Sequence, residues 1–407
     1  VVVEKPPEVV VAATDQGPSS RMKAVGALAL AAIPLSQNAH SAVQPDYGEV
    51  AVRVSQYQED DSPAERTLYP VTERFSIDVN QLRIAAPVGR RWYLETELVY
   101  ETLSGASPMQ TYKNEDGQSV LVTSGATIDE ERTQGSFSAT HYFSEGTLGL
   151  MLASSSENDY ESLAFGMNGT LELSNKSTTL QGSWSMSNDT INPSDPEISV
   201  VRQEATDAKK RSLSIYEGVT QVINRRIVVQ GGVGYTRHSG YLSDPYKFED
   251  RRPSTRDQVT ANISYRQYLY AGRAAALHLD YVWYTDNWGI RSQSLTTKWV
   301  QSWQLWSMTT FQLAPMWRYY RQTEASFYRL EQDPPDNEFS SSDARLSSYG
   351  ATSLGVEAEL KIDMISLTAS YENYMSSTDL GILQKSNDEA PGLVSFQVWG
   401  AGITWRF

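Results

Sequence analysis

The chain has 407 residues, 23 Tyr, 10 Trp, no Cys and a formal net charge of −15. The absence of cysteine removes disulfides, thiolate nucleophiles and thiolate metal sites together, and the negative balance makes nucleic acid a poor partner. The chain is too aromatic and too patterned for disorder, yet beyond its N-terminal region no segment reaches the apolar run of about 18 residues that a membrane helix requires.

Residues Arg21-Met22-Lys23 precede the Ala/Leu-rich run Ala24 to Leu35. Ala39-His40-Ser41-Ala42 closes it with small residues at the spacing signal peptidase prefers. The form is that of a secretory signal peptide, with Val1 to Ser20 in front of it. Two readings stay open: an export signal behind a long or misassigned start, with Met22 as initiator, or a retained tail whose Ala-rich helix lies in a lumen or along its mouth. The boundary falls before Tyr47, giving an N-terminal extension over 1–46 and a strand-rich body over 47–407.

From Tyr47 onward the alternation of apolar and polar residues predicts sixteen strands. They are Tyr47 to Tyr57, Val71 to Ala85, Arg91 to Leu103, Arg132 to Phe143, Thr147 to Glu157, Tyr160 to Leu173, Ser177 to Asn188 and Ser212 to Val222. Ile227 to His238, Arg256 to Leu269, Ala274 to Thr285, Gly289 to Ser302, Leu305 to Gln322, Arg345 to Leu360, Asp363 to Met375 and Leu393 to Phe407 follow. The joints alternate between two kinds. Pro87 to Arg90, Ser144 to Gly146, Ser174 to Lys176, Ile223 to Arg225, Tyr270 to Arg273, Trp303-Gln304 and Lys361-Ile362 are tight. The long connections, including Ser104 to Glu131, Asp189 to Arg211, Ser239 to Thr255 and Thr323 to Ala344, all fall on the other side. Segregated loops and an even strand count predict an all-β fold, a closed antiparallel transmembrane barrel with short turns at the end that carries both termini.

Within the strands, Leu277, Leu279, Tyr281 and Trp283 are expected to face lipid and His278 and Asp280 the lumen. Leu94, Thr96, Leu98 and Tyr100 place Glu95, Glu97 and Glu101 inside. Apolar parity changes between Val79 and Leu82, which a β-bulge would explain. Aromatics cluster where interfacial belts belong: Trp92-Tyr93, Tyr142-Phe143, Trp405 and Phe407 at the turn end, and Tyr241, Tyr246, Tyr284, Trp288, Tyr320, Phe327 and Tyr328 at the loop end. The inward carboxylates Asp78, Glu95, Glu97, Glu101, Asp280, Glu357 and Glu359 face the basic candidates Arg53, Arg83, Arg237, Arg266, Arg291, Arg318 and Arg321. These groups either form opposed walls that orient dipolar solutes or pair to stiffen the wall.

The last strand, Trp399-Gly400-Ala401-Gly402-Ile403-Thr404-Trp405-Arg406-Phe407, resembles the closing strand of bacterial outer-membrane barrels, where assembly factors read a C-terminal aromatic. Ser104-Gly105-Ala106-Ser107-Pro108, Ile128 to Thr133, Glu157-Asn158-Asp159-Tyr160-Glu161, Tyr235 to Lys247 and His278-Leu279-Asp280-Tyr281 together resemble the recurring motifs of the bacterial family called domain of unknown function 3570. That resemblance spans about Tyr47 to Phe407 and implies an outer-membrane barrel of a Gram-negative bacterium. It implies outer-membrane lipid, lipopolysaccharide and assembly machinery as partners, and no activity. Ser104 to Pro108 and Tyr241 to Tyr246 start or occupy long loops and are candidates to fold inward and narrow the mouth, since Gly and Pro give loops a definite shape.

The candidate lumen or constriction residues are Asp78, Glu95, Glu97, Glu101, Arg237, His238, Asp244, His278, Asp280 and Arg318. No catalytic set is expected: His238 and Ser239 are adjacent and point to opposite strand faces, and His278 with Asp280 lacks a serine partner. Asp244 and Asp257 complete no triad. His141, His238 and His278 are too scattered for a metal site, so no metal or cofactor is expected. The resulting expectation is a passive channel for ions or small solutes. The alternative is an occluded barrel serving a periplasmic or surface protein as receptor, platform or sheath.

Overall fold

The computed structural model describes residues 43–68, 72–124, 128–173, 176–270, 274–331, 338–381 and 390–407. The extension over 1–42, with its signal-like run, lies outside them. Eighteen strands appear: β1 (Glu49–Glu59), β2 (Ser76–Val88), β3 (Trp92–Gly105), β4 (Pro108–Lys113), β5 (Ser119–Thr123), β6 (Ile128–Tyr142), β7 (Gly146–Glu157), β8 (Tyr160–Leu173) and β9 (Thr178–Ile191), then β10 (Ala208–Asn224), β11 (Ile227–Gly240), β12 (Thr255–Tyr270), β13 (Ala274–Asp286), β14 (Arg291–Trp306), β15 (Thr309–Gln322), β16 (Tyr349–Ile362), β17 (Ile365–Ser377) and β18 (Phe396–Arg406). Sixteen of them form one closed antiparallel barrel, and β4 with β5 forms a separate hairpin.

Closure happens where the first and last strands meet. β1 pairs with β18 from Glu49↔Arg406 to Glu59↔Phe396 without a break. Gly48 and Phe407 exchange two backbone hydrogen bonds of 2.9 Å beyond the last strand residue. A Cβ at Gly48 would lie 2.6 Å from the Phe407 ring, so only glycine lets the terminal aromatic fold onto the seam.

The sixteen expected strands all appear, with boundaries shifted by a few residues. The joint expected at Trp303-Gln304 moves to Ser307-Met308, because Trp303 pairs with Phe311 and their rings stack at 5.6 Å. A register shift between Gln304 and Trp306 accommodates the extra length. Likewise Lys361-Ile362 belongs to β16, and Asp363, at φ 51°, makes the turn. Residues 174–175 and 271–273, within two further expected turns, lie outside the described residues.

The lipid-facing parity expected for β3, β8 and β13 is found: Leu98, Tyr100, Leu163, Met167 and Tyr281 are exposed while Val99 and Glu101 are buried. The bulge expected in β2 is absent, since its register is unbroken against both β1 and β3. Ile77 and Val79, 1% and 4% exposed, instead point inward. They join Tyr57, Phe75, Val99, Leu103, Tyr320, Tyr349, Tyr374 and Phe396 in an apolar cluster inside the barrel at its loop end. An apolar residue in a membrane barrel therefore marks either lipid or an internal core, and alternation alone does not say which.

Candidate functional site

The inner wall is lined by charges that meet their neighbours. Arg83 donates to Glu49 and Glu95 on the two flanking strands. Arg132 lies 3.3 Å from Glu101 and 3.6 Å from Glu157. Arg266 bonds Asp280 at 2.7 Å, Lys298 bonds Glu357 at 2.9 Å, and Arg318 bonds Glu372 at 2.5 Å. Each cation thus finds a carboxylate one or two strands away, which neutralises the wall locally and locks adjacent strands. For these five cations the geometry of the pairs is that of stiffening.

The sequence candidates separate into three places. Glu95, Glu97, Glu101, His278, Asp280 and Arg318 are on inward positions of the wall. Glu97 stands opposite Arg83 in register, and His278 stands between Arg266 and Lys298. His238 is also inward and buried, its Nδ1 2.8 Å from Ser212 Oγ and its Nε2 3.3 Å from Gln258 Oε1. Asp244 is off the wall, buried among the long loops. Asp78 and Arg237 are corrections. Asp78 shares the outward parity of Asn80 and Ile84, because Ile77 and Val79 take the inward positions. Arg237 is outward with Tyr235, its side chain 53% exposed and 3.8 Å from Asp257. Arg291 and Arg321 are outward too, on the faces that carry Leu295 and Trp317.

These placements also separate His238 from Asp257. His238 is inward while Asp257 is outward, bonded by the Tyr235 hydroxyl at 2.5 Å. His141 packs against Trp92 and Phe143 rings at 4.8 and 4.4 Å. Among the described residues no three His, Asp or Glu come together as a metal site.

At the loop end the long connections pack on one another. The missing piece in sequence reading was the β4–β5 hairpin, carried by the loop after β3. Gly105 starts it at φ 133°, where a Cβ would lie 2.4 Å from the Arg74 carbonyl oxygen, so the chain can turn off the wall only without a side chain. Leu121 of the hairpin is fully buried. Its carbonyl accepts from Leu68 N at 2.9 Å, and Lys113 N donates to Leu330 O at 3.0 Å. Thr111 N donates to Ser342 Oγ at 3.0 Å. Farther round, Phe248 N donates to Met109 O at 3.1 Å and Lys247 Nζ to Pro108 O at 2.8 Å. Pro108 ends one segment expected to narrow the mouth, Lys247 directly follows the other, Tyr241 to Tyr246, and the two residues touch. In the ring, β3 and β11 are separated by β6, β7, β8, β9 and β10. A hairpin rooted on β3 that reaches the loop after β11 spans the opening.

Two further contacts bind the cap. Leu242, Tyr284, Trp288, Ile290, Ala325, Phe327 and Leu346, from the loops after β11, β13 and β15 and the adjoining strand ends, form a second apolar cluster. The aromatics expected as a loop-end girdle are therefore largely core: Tyr246, Tyr284, Trp288, Tyr320 and Phe327 are buried. Beside them, Arg252 bonds Asp250 and Asp343, while Arg345 bonds Asp343 and lies 3.9 Å from Asp244. Burial opposes charge on Asp343, yet Arg345, Lys247 and Arg252 hold its carboxyl well below the usual range. For Asp250 burial prevails over Arg252 and pushes its carboxyl up. Burial also pushes the Tyr241 and Tyr246 phenols up, so both stay protonated.

A family model described as "Protein of unknown function (DUF3570)" matches residues 22–394. The chain belongs to this family. The DUF3570 match begins ahead of the expected Tyr47, taking in the Ala/Leu-rich run and leaving Val1 to Arg21 outside, and it ends at Val394, short of the expected Phe407, so that β18 lies outside it. No curated protein matches the DUF3570 chain. Among solved structures it is similar to a bacterial polysaccharide outer membrane secretin, with TM-score 0.50 and 8% identity over 88% of this chain and 98% of that one. It is similar to CdiB from Acinetobacter baumannii, with TM-score 0.48 and 10% identity over 88% of this chain and 60% of that one. OccD3 from Pseudomonas aeruginosa gives TM-score 0.44 and 10% identity over 91% and 93% of the two chains. At such identities the likeness is one of fold: this DUF3570 chain is an outer-membrane-type β-barrel.

Proposed function

We propose that this protein is an outer-membrane barrel with its long loops outside and both termini in the periplasm. Its outer mouth is closed by the β4–β5 hairpin, and its work is to present the docked loop surface to a surface partner. Arg21 to Ala42 is read as its export signal and Phe407 as the residue offered to the assembly machinery. The observation that carries the reading is the hairpin's reach from β3 to the loop after β11, through Met109–Phe248 and Pro108–Lys247. The pairing of Arg83, Arg132, Arg266, Lys298 and Arg318 with carboxylates supports it as well, since a selective pore uses unpaired charge to attract its solute.

A passive channel remains the second reading. Sixteen strands with a polar inner face leave width for an aqueous path once a plug is moved. Conductance of the refolded protein in a planar bilayer separates the two, with wild type compared against a variant in which residues 108–123 are replaced by a short Gly/Ser link. Silence from a folded, heat-modifiable wild type and steps from the variant support the closed mouth. Stable steps of equal size from both sink it and restore the channel.

A further inference from the structure

The outward face of the barrel near its loop end is charged unevenly around the ring. On β10, Lys209 and Arg211 are exposed two residues apart on one face. Arg237 on β11 stands opposite Leu213, diagonal to Arg211. Farther along, Arg291 on β14 and Arg321 on β15 lie on the same outer surface, Arg321 opposite Gln293. The arc from β2 to β8 carries the opposite sign on its outer face, with Asp78 and Glu161 exposed.

What these cations bind sets them apart from those inside. Lys209 Nζ donates to Thr190 Oγ1 at 2.9 Å, and Arg211 Nε to Asn188 Oδ1 at 3.0 Å. Arg321 donates to Gln293 Oε1 at 2.6 Å. Their partners are neutral, whereas Arg83, Arg132, Arg266, Lys298 and Arg318 on the wall each meet a carboxylate. Arg237 alone of the outer group has a carboxylate, Asp257 at 3.8 Å. Neutral oxygens orient a guanidinium or ammonium without cancelling its charge, leaving N–H groups for an external anion. Immediately toward the turn end the same face carries Leu213, Ile215 and Leu295, with the exposed Glu217 opposite Val233 beyond them. A cationic strip bordering an acyl-facing band fits a lipid that bears phosphate on its headgroup.

We propose that Lys209, Arg211 and Arg237, extended by Arg291 and Arg321, form a binding strip for the phosphates of lipopolysaccharide in the outer leaflet. The inference rests on the orientation adopted under Proposed function. In a net negative chain, such a strip on the lipid-exposed surface keeps an anionic leaflet in contact with the wall.

The test uses the full-length protein in detergent, titrated with lipopolysaccharide, with chemically dephosphorylated lipopolysaccharide and with phosphatidylglycerol, binding being read by native mass spectrometry and thermal shift. A K209Q/R211Q/R237Q variant should bind lipopolysaccharide at least about ten-fold more weakly, since each cation near an anionic lipid surface contributes substantially. Wild type should prefer the phosphorylated lipid by a similar factor. K298Q, which alters a wall cation, should bind as wild type does and so controls for general loss of charge or fold. Equal binding by wild type and triple variant, or equal binding of the dephosphorylated lipid, overturns the strip. Equal binding of phosphatidylglycerol overturns its commitment to lipopolysaccharide. Orientation is tested separately by Asp116→Cys at the exposed hairpin tip, in a chain with no other cysteine. Labelling of intact cells by an impermeant maleimide upholds the orientation whatever the lipid result, and a label admitted only after lysis overturns both orientation and strip.

Discussion

Arg252 and Asp343, 91 residues apart in the chain, meet at 3.0 Å with side chains 1% and 3% exposed. Their loops leave the barrel after β11 and after β15, so the contact ties two distant parts of the rim. A buried pair of this kind adds little over a well-packed apolar substitute, but breaking it leaves an uncompensated charge. Asp343 also anchors Arg345 through its Nε at 2.9 Å. Asp343→Asn is expected to destabilise the docked cap by about 3 kcal/mol while leaving the barrel intact. Trypsin should nick the loop over 239–255 faster in the variant, with an unchanged heat-modifiable band on gels.

The same site predicts a pH dependence with two signs. The depressed Asp343 carboxyl contributes stability fully present above the ordinary aspartate value of about 3.9, and this is lost as pH falls through its lower native value. Asp250 is raised by burial, so its ionised form costs stability at neutral pH and the cost is relieved as pH falls from its native value toward about 3.9. Hydrogen exchange of cap peptides, corrected for intrinsic rate, should therefore slow on mild acidification and quicken below about pH 3.9. Asp250→Asn should abolish the first change and Asp343→Asn the second. A monotonic profile insensitive to both would refute the assignment.

Trp288 ties the second apolar cluster to a charge. Its ring lies 4.4 Å from the Arg256 guanidinium, which bonds Asp286 at 2.7 Å, and its Nε1 donates to Thr255 O at 2.9 Å. Trp288→Ala removes a buried ring and a cation–π contact, for a local loss of about 3–5 kcal/mol. Trp288→Phe, which keeps the ring face and loses the indole donor, should cost roughly a third of that. Exchange protection of residues around 323–331 is the measurement, and equal protection in all three proteins would show that the cluster does not hold this loop.

The hairpin's crossing of the mouth can be locked covalently. Met109 and Phe248 share a backbone hydrogen bond of 3.1 Å, and the chain carries no native cysteine to compete. Met109→Cys with Phe248→Cys should form a disulfide on mild oxidation, seen as a mobility change on non-reducing gels. Cells carrying only one of the two changes should show none. Failure of the double variant to cross-link while folded would mean the two loops do not meet.

Closure should depend on Gly48. With a Cβ placed 2.6 Å from the Phe407 ring, Gly48→Val must push the terminal aromatic off the seam. The expected outcome is a lower yield of folded barrel on refolding of the purified protein into detergent micelles, where no assembly machinery acts, partly recovered by Phe407→Ala, which removes the clash. Gly105→Ala, at φ 133° against the Arg74 carbonyl, should leave the barrel assembled and free the hairpin, read as faster proteolysis between 108 and 123.

Strand number and the lipid face of β3, β8 and β13 were legible because period-two alternation is local: each residue's face follows from its neighbours in the chain. The misreadings share one cause. Ile77 and Val79 look lipid-facing and are inward, Tyr284 and Trp288 look like a girdle and are core, and Arg237 looks like lumen and is outside. Near the rim both faces of a strand can meet apolar surroundings, so hydrophobicity no longer reports direction. The hairpin within Ser104 to Glu131 carries its own alternation, but Thr111, Leu121 and Val122 gain their burial only from loops far away in sequence.

The sequence by itself determined a closed antiparallel barrel and the end at which its long loops gather, because both follow from local periodicity and turn length. Only the tertiary structure decided that the mouth is crossed, that Arg252 finds Asp343, and that Arg83, Arg132, Arg266, Lys298 and Arg318 inside meet carboxylates while Lys209, Arg211 and Arg321 outside meet neutral oxygens. Those outcomes depend on which strands become neighbours when the ring closes, and on buried charges whose partners are chosen by distance in space.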